Sequence, residues 1–155
     1  MEQLRYRYLT EEDKRQICGW RYGGEYAIYD LPSYEEMCSC QMGFMKPAAE
    51  KNYLAFLDGS ALVGFVNILA EEKEVFIGIG VNPDLCGRRY GRRILLKAYE
   101  ISKNRYPDKA LYLEVRTWNT RAVRCYESAG FQIDGEPFKQ TTGIGTGTFY
   151  RMTKK

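Results

Sequence analysis

Between Val81 and Leu96 the chain reads Val81-Asn82-Pro83-Asp84-Leu85-Cys86-Gly87-Arg88-Arg89-Tyr90-Gly91-Arg92-Arg93-Ile94-Leu95-Leu96. The order is a strand end, a basic glycine-bearing turn and the start of an amphipathic helix. Such a junction suits an anion. The first N–H groups of a helix have no intrahelical partner and carry the positive end of the dipole, which favours a group such as pyrophosphate. Gly87 and Gly91 let the backbone approach closely, while Arg88, Arg89, Arg92 and Arg93 add charge. A basic helix start that faces water has the same composition, so the segment alone leaves both readings open.

A second segment narrows the choice. Asn119-Thr120-Arg121-Ala122-Val123-Arg124-Cys125-Tyr126-Glu127-Ser128-Ala129-Gly130-Phe131 follows a strand-like run from Leu111 to Thr117. With the first segment it resembles the GNAT family of acetyl-CoA-dependent N-acyltransferases. That family's pyrophosphate loop is usually Gln or Arg, two residues, Gly, one residue, then Gly or Ala, after a Val-x-Pro strand end. Its later helix reads Asn-x-x-Ala-x-x-x-Tyr-x-x-x-Gly-Phe. The likeness in order and spacing extends over nearly the whole chain. It departs from the pattern at Cys86, which stands for the Gln or Arg, and at Arg89, which stands for the middle glycine. A side chain at that close-approach position either reaches round the phosphates as a clamp or obstructs them.

The resemblance implies a set of roles. Val81, Gly87, Arg88, Arg89, Tyr90, Gly91 and Arg92 would hold acetyl-CoA, Val81 through main-chain groups on the pantetheine arm. Asn119 would be a further cofactor contact, and its place at a helix start equally fits an N-cap. Tyr126 would be the general acid that protonates the departing thiolate; Ala122, Val123 and Tyr126 share one helix face, which also fits a core aromatic. Glu74, at the start of the fourth strand, would be the general base, and a solvated strand-end carboxylate fits it as well. Acceptor selection would come from the Tyr-rich stretch after the first helix, with Glu25, Tyr26 and Tyr29 foremost beside Trp20, Tyr22 and Asp30. Aromatic faces next to carboxylates suit a cationic amine.

Composition sets bounds on these roles. A length of 155 residues fits one domain, 1–155, and 45% hydrophobic with 28% charged residues is ordinary globular usage. No run is apolar enough to span a bilayer and the start, Met1-Glu2-Gln3-Leu4-Arg5, lacks a signal segment, so a cytoplasmic protein without a membrane partner is expected. The net charge of +3 does not call for nucleic acid. The odd count of five cysteines reads as reduced thiols, and Cys38-x-Cys40 lacks the second pair of a structural zinc site, so no metal is expected. There is no histidine. Acid and base chemistry therefore falls to carboxylates, Tyr, Cys, termini or water.

The elements that position these residues follow from periodicity and caps. Strands are expected at Leu4–Leu9, Tyr53–Leu57, Leu62–Leu69, Glu74–Val81, Ala110–Thr117, Phe131–Asp134 and Thr148–Met152, with a hairpin at Asp58-Gly59. Helices are expected from Thr10 to about Trp20, from Ser33 to about Gly43, from the glycine turn to about Tyr106, and from Asn119 to Ala129. The fold class is α/β: a GNAT fold with a mixed central sheet of about six to seven strands and helices on both faces. The function implied is direct acetyl transfer from acetyl-CoA to a primary amine of a small molecule, peptide or protein, by a chain that forms a homodimer or works alone. The alternative is a catalytically weak acyl-CoA-binding or sensor module.

Overall fold

The structure is a computed structural model and describes residues 4–155; the first three residues of the start read above lie outside them. The chain forms two compact units, Met1–Asn67 with Gly80–Tyr90, and Ile68–Ile79 with Gly91–Lys155. Strands β3 (Ala61–Ala70) and β4 (Glu74–Val81) contribute residues to both.

In the first unit, β1 (Arg5–Tyr8) pairs antiparallel with β2 (Tyr53–Asp58), which pairs antiparallel with β3. Asp58 lies opposite Ala61, and Gly59 turns the chain at φ 61°, a conformation that glycine adopts without strain. Helix α1 (Glu11–Gly19) opens on a capping box: Asp13 N–H donates to Thr10 Oγ1 at 3.1 Å, and Thr10 N–H donates to Asp13 Oδ2 at 2.9 Å. Helix α2 (Tyr34–Cys40) is capped by Ser33, whose Oγ accepts from Glu36 N–H at 3.1 Å. It ends earlier than its sequence suggests, because Gln41 turns left-handed at φ 49° and a 3₁₀ turn, Gly43–Met45, follows. Leu9, Ile17, Cys18, Met37, Phe44, Ala55 and Leu62 form the core of this unit.

In the second unit, the start of β4 runs parallel to β5 (Ala110–Arg116), with Glu74 opposite Ala110 and Phe76 opposite Tyr112. Strand β8 (Gly145–Lys154) lies antiparallel to β5 and also carries β6 (Gln132–Ile133) and β7 (Phe138–Thr142). Helix α3 (Tyr90–Arg105) buries Ile94, Leu95, Ala98 and Ile101, a stripe at helical spacing, and α4 (Thr120–Ser128) follows β5. Parallel and antiparallel pairs together make the chain mixed α/β, as its sequence suggests. The described residues form eight strands, one more than the upper expectation. The extra strand is β7. Its Thr- and Gly-rich surroundings have no period-two apolar pattern, and pairing from Phe138↔Phe149 to Thr142↔Gly145 supplies what local propensity does not. No helix of the described residues is long and apolar enough to cross a membrane.

Candidate active site

At the end of β4 a single asparagine fixes the glycine turn. Asn82 donates its N–H to Val63 O at 2.9 Å and its Nδ2 to Leu62 O at 3.1 Å, while its Oδ1 accepts from Asp84 N–H at 3.0 Å. The 3₁₀ turn Pro83–Leu85 is thereby held against β3. Gly87 (φ 84°) and Arg89 (φ 65°) then take left-handed conformations before α3 begins at Tyr90. The side chain of Tyr90 is directed to β2, its hydroxyl donating to Asp58 Oδ2 at 2.6 Å. Gly87, Arg88 and Arg89 are exposed, and a Cβ at Gly87 would meet nothing within 4 Å. Helix starts usually carry Asp or Glu. The 16-residue α3 has no acidic residue in its first turn and begins Tyr90-Gly91-Arg92-Arg93, which leaves its dipole uncompensated and open to an anionic ligand.

Besides Tyr90, two more of the residues expected to touch the cofactor have partners of their own. Arg92 Nε donates to Ser128 O at 3.1 Å, at the C-terminal end of α4, where a cation complements the dipole. Val81 O accepts from the Tyr22 hydroxyl at 2.8 Å, so its carbonyl is engaged inside the protein.

The second segment begins at the end of β5. Asn119 is buried, 7% exposed, and caps α4 through Oδ1, which accepts from Ala122 N–H at 3.2 Å. Its capping role is thus realised. Tyr126 lies on α4, a helix in which no residue is fully buried, and is itself half-buried. Its main-chain oxygen accepts from Ala129 N–H at 3.1 Å and Phe131 N–H at 3.0 Å, closing the helix and seating the buried Phe131. The ring therefore sits on a fixed helix end with part of its surface in solvent.

Glu74 lies at the other end of β4 from Val81, about 23 Å along the strand at the usual rise. Its carboxylate pairs with Arg151, which also donates from Nε to Asp134 Oδ2 at 3.2 Å and stacks over the Tyr112 ring at 4.5 Å. The hydrogen bond to Glu74, opposed by desolvation and helped by Asp134, raises the Arg151 pKa. Nearby Tyr112 donates to Glu71 Oε1 at 2.7 Å, and burial followed by that carboxylate pushes its hydroxyl pKa up strongly.

The Tyr-rich stretch folds as a 3₁₀ helix, Gly24–Tyr29, inside a loop closed by Tyr22 N–H donating to Asp30 Oδ1 at 2.7 Å. Glu25 is exposed and Tyr26 and Tyr29 are half-buried. A larger aromatic cluster lies in the same unit around Phe65, with Phe44, Trp20 and Tyr53 at ring separations of 6.1, 6.2 and 6.4 Å. Gly80 makes room for it, since a Cβ there would sit 2.3 Å from the Phe65 ring. Sequence reasoning missed this cluster, and it missed Asn67, whose Oδ1 is the one buried side-chain atom without a hydrogen-bond partner among the described residues. The available signal was a polar residue within the apolar run from Leu62 to Leu69. No group of described histidine, cysteine or acidic residues could hold a metal ion.

Comparison with known proteins shows the family to which the two segments belong. The sequence model of the acetyltransferase (GNAT) family matches residues 6–131. The chain belongs to the GNAT family. An N-alpha-acetyltransferase RimI from Mycobacterium tuberculosis is 37% identical over 90 residues, covering 54% of each chain, so this GNAT chain spans about half the length of that curated relative. Among solved structures, a GNAT-family acetyltransferase from Bacillus anthracis has a TM-score of 0.78 at 16% identity, with 99% of this chain and 95% of that one covered. The structure of AAC(6')-Ib in complex with ribostamycin and coenzyme A has a TM-score of 0.71 at 16% identity, covering 97% and 93%. These structures share the fold.

Enzymes of the GNAT family use acetyl-CoA. The residues of this chain fit its phosphates: a bare backbone at Gly87, exposed guanidinium groups at Arg88 and Arg89, and a helix start without acids. Arg89 keeps the left-handed backbone natural to the glycine it replaces, so the turn survives the substitution with local strain.

Proposed function

We propose that the chain transfers acetyl from acetyl-CoA directly to a primary amine, and that this amine is an α-amine or another of low pKa. The reading rests on the anion-seeking turn from Gly87 to Arg89 and on the half-buried Tyr126. Acetyl-CoA supplies an activated thioester. Gly87, Arg88 and Arg89 hold its phosphates by backbone approach and charge, and Gly91 keeps the helix start clear. Tyr126 donates its hydroxyl proton to the departing sulfur.

The acceptor class follows from how readily an amine gives up its proton where no histidine is present to take it. A lysine-like amine with a pKa of about 10.4 costs on the order of 4 kcal/mol to present neutral at pH 7, whereas an α-amine near 8 costs about 1 kcal/mol. There is no histidine, and the Glu74 carboxylate is engaged by Arg151. We therefore give Glu74 a structural role and let water take the proton from an amine already partly neutral. Glu25, Tyr26 and Tyr29 remain the acceptor-facing candidates, as a carboxylate with aromatic surface suits an ammonium group. Support for the α-amine also comes from the RimI relative, named for that acceptor.

The test is thiol release from acetyl-CoA against a matched panel of peptide N-termini, lysine side-chain amines and polyamines. Peptides are expected to turn over fastest, with an advantage that shrinks as the pH rises toward 10. Preferred turnover of lysine or polyamine at pH 7 would overturn the acceptor reading. Absence of any thermal stabilisation by acetyl-CoA, expected at about 2.7 kcal/mol for a hundredfold excess over Kd, would remove the donor reading.

A further inference from the structure

Arg116, the last residue of β5, is a buried arginine that no carboxylate among the described residues pairs with. Its relative exposure is 9%, and no carboxylate among the described residues lies within 4 Å of it. An arginine stays protonated in any protein and carries five N–H donors in a planar fork. Here that fork makes one long hydrogen bond, Nη2 to Thr142 Oγ1 at 3.4 Å, and lies 4.8 Å above the centre of the Phe149 ring. The contrast with Arg151, two residues along β8 from Phe149, is direct: that guanidinium is matched by both Glu74 and Asp134.

The surroundings are shaped to the guanidinium. Gly147, on β8, leaves the space it occupies, because a Cβ there would fall 2.0 Å from Nη1 and 3.0 Å from Cζ. Thr142 closes β7, and its hydroxyl also bonds Gly145 O at 3.2 Å, which orients the oxygen offered to Arg116. The remaining donors are not sealed in. Asn67 Oδ1 is the described side-chain atom that is both buried and unpartnered, so the unpartnered nitrogens of Arg116 still reach solvent. A fork held on an aromatic floor, with N–H groups in reach of solvent and no carboxylate partner among the described residues, suits an anion.

We propose that Arg116, with Phe149 as floor and Gly147 as clearance, is a carboxylate-binding subsite that selects acceptor amines carrying a carboxylate. A single free positive charge matches a singly charged carboxylate better than a phosphate dianion, which calls for further cations. The subsite adjoins the acyl-transfer machinery in the chain: Asn119 N–H donates to Arg116 O at 3.0 Å, and Asn119 caps the helix that bears Tyr126. The assignment rests on the acetyltransferase reading above, and the experiment separates the two.

The protein labelled with ¹⁵N is titrated with N-acetylglycine, N-acetylglycinamide and inorganic phosphate, and the Nε–Hε resonance of Arg116 is followed, assigned by its loss in Arg116→Lys. N-acetylglycine is expected to move it saturably, the amide not at all, and phosphate about tenfold more weakly or less. Gly147→Ala keeps the charge but displaces the fork, so it should weaken N-acetylglycine by about tenfold. In turnover, peptide pairs differing only by Glu or Gln at the second residue should differ in KM for the wild type and not for Arg116→Met. Equal response to acid and amide, a phosphate response as strong as that to the acid, or an unaltered Gly147→Ala would overturn the proposal. Where Arg116→Met does not fold, the Gly147→Ala titration decides alone. Thermal stabilisation by acetyl-CoA is measured on every variant; its presence beside a failed titration removes the subsite and leaves the enzyme, and its absence removes the reading on which the subsite rests.

Discussion

Replacing Arg89 by glycine and by alanine separates backbone from charge at one position. The residue is exposed and holds φ 65°, where an L-residue carries about 1–2 kcal/mol of strain. Arg89→Gly relieves that strain but loses about 0.4–1 kcal/mol through the freer unfolded chain. The net expectation is about 0.5–1 kcal/mol of added stability without ligand, or a Tm higher by about 1–4 °C for a chain of this length. Arg89→Ala keeps a Cβ at positive φ and should leave Tm unchanged. Binding moves the other way. A guanidinium on phosphate in an exposed site contributes about 1 kcal/mol after screening, so both variants should bind acetyl-CoA about fivefold more weakly at low salt. The difference from wild type should shrink at high salt. Calorimetric unfolding without ligand and titration with acetyl-CoA at low and high salt read the two effects. Tighter binding by Arg89→Gly would refute the clamp and make the arginine an obstruction, and equal Tm for the glycine and alanine variants would refute the strained turn.

Three further substitutions test the other roles. Tyr126→Phe keeps the half-buried ring and removes the hydroxyl, so kcat should fall at least about tenfold with acetyl-CoA affinity and Tm unchanged; full turnover with a working acceptor would end the acid role. Glu74→Gln should leave kcat intact and lower stability by less than about 1 kcal/mol, since its partner Arg151 is partly exposed and keeps Asp134; a fall in kcat of about a hundredfold would restore the base assignment. Asp13 loses solvation on burial, but Arg7 and the Thr10 N–H more than offset this and hold its pKa below the usual value. A depressed folded pKa gives stability that is present above the unfolded value near 3.9 and lost as pH falls through the folded one. Asp13→Asn should therefore lower stability at neutral pH by about 1–2 kcal/mol and flatten its decline below pH 4, as measured by urea midpoints across pH. A parallel pH profile in the variant would show that Asp13 does not titrate differently on folding.

Elements with their own local signals were legible in the sequence. Thr10, Ser33 and Asn119 cap the helices that they announce, and Gly59 turns the hairpin written at Asp58-Gly59. Strand β7 was not, because Phe138 to Thr142 is a strand by virtue of its partner and not of its composition. For the glycine turn, residue types alone left an anion site and a solvated basic helix start both open. Its positive φ at Arg89 was foreshadowed by the resemblance, in which a glycine is usual there. The role of Glu74 could not be read in this way. Alternation placed it correctly on the strand, but the carboxylate's partner, Arg151, lies 77 residues away in the chain.

The arginines show most directly where such reading stops. Arg89, Arg92, Arg116 and Arg151 are the same side chain, and near-neighbours in sequence give little to tell them apart. Three-dimensional bookkeeping does so at once: Arg89 faces solvent, Arg92 bonds the Ser128 carbonyl at the end of α4, Arg151 meets two carboxylates and Arg116 meets none among the described residues. Each state follows from what the fold brings to the guanidinium, and for Arg116 that supply is an aromatic ring, a hydroxyl and the clearance at Gly147, all from the β7–β8 hairpin. The hairpin segment that propensity failed to identify is thus the one that leaves a charge unmatched. Arg116 keeps N–H donors that no carboxylate among the described residues takes up, and the proposed carboxylate ligand is what would match them.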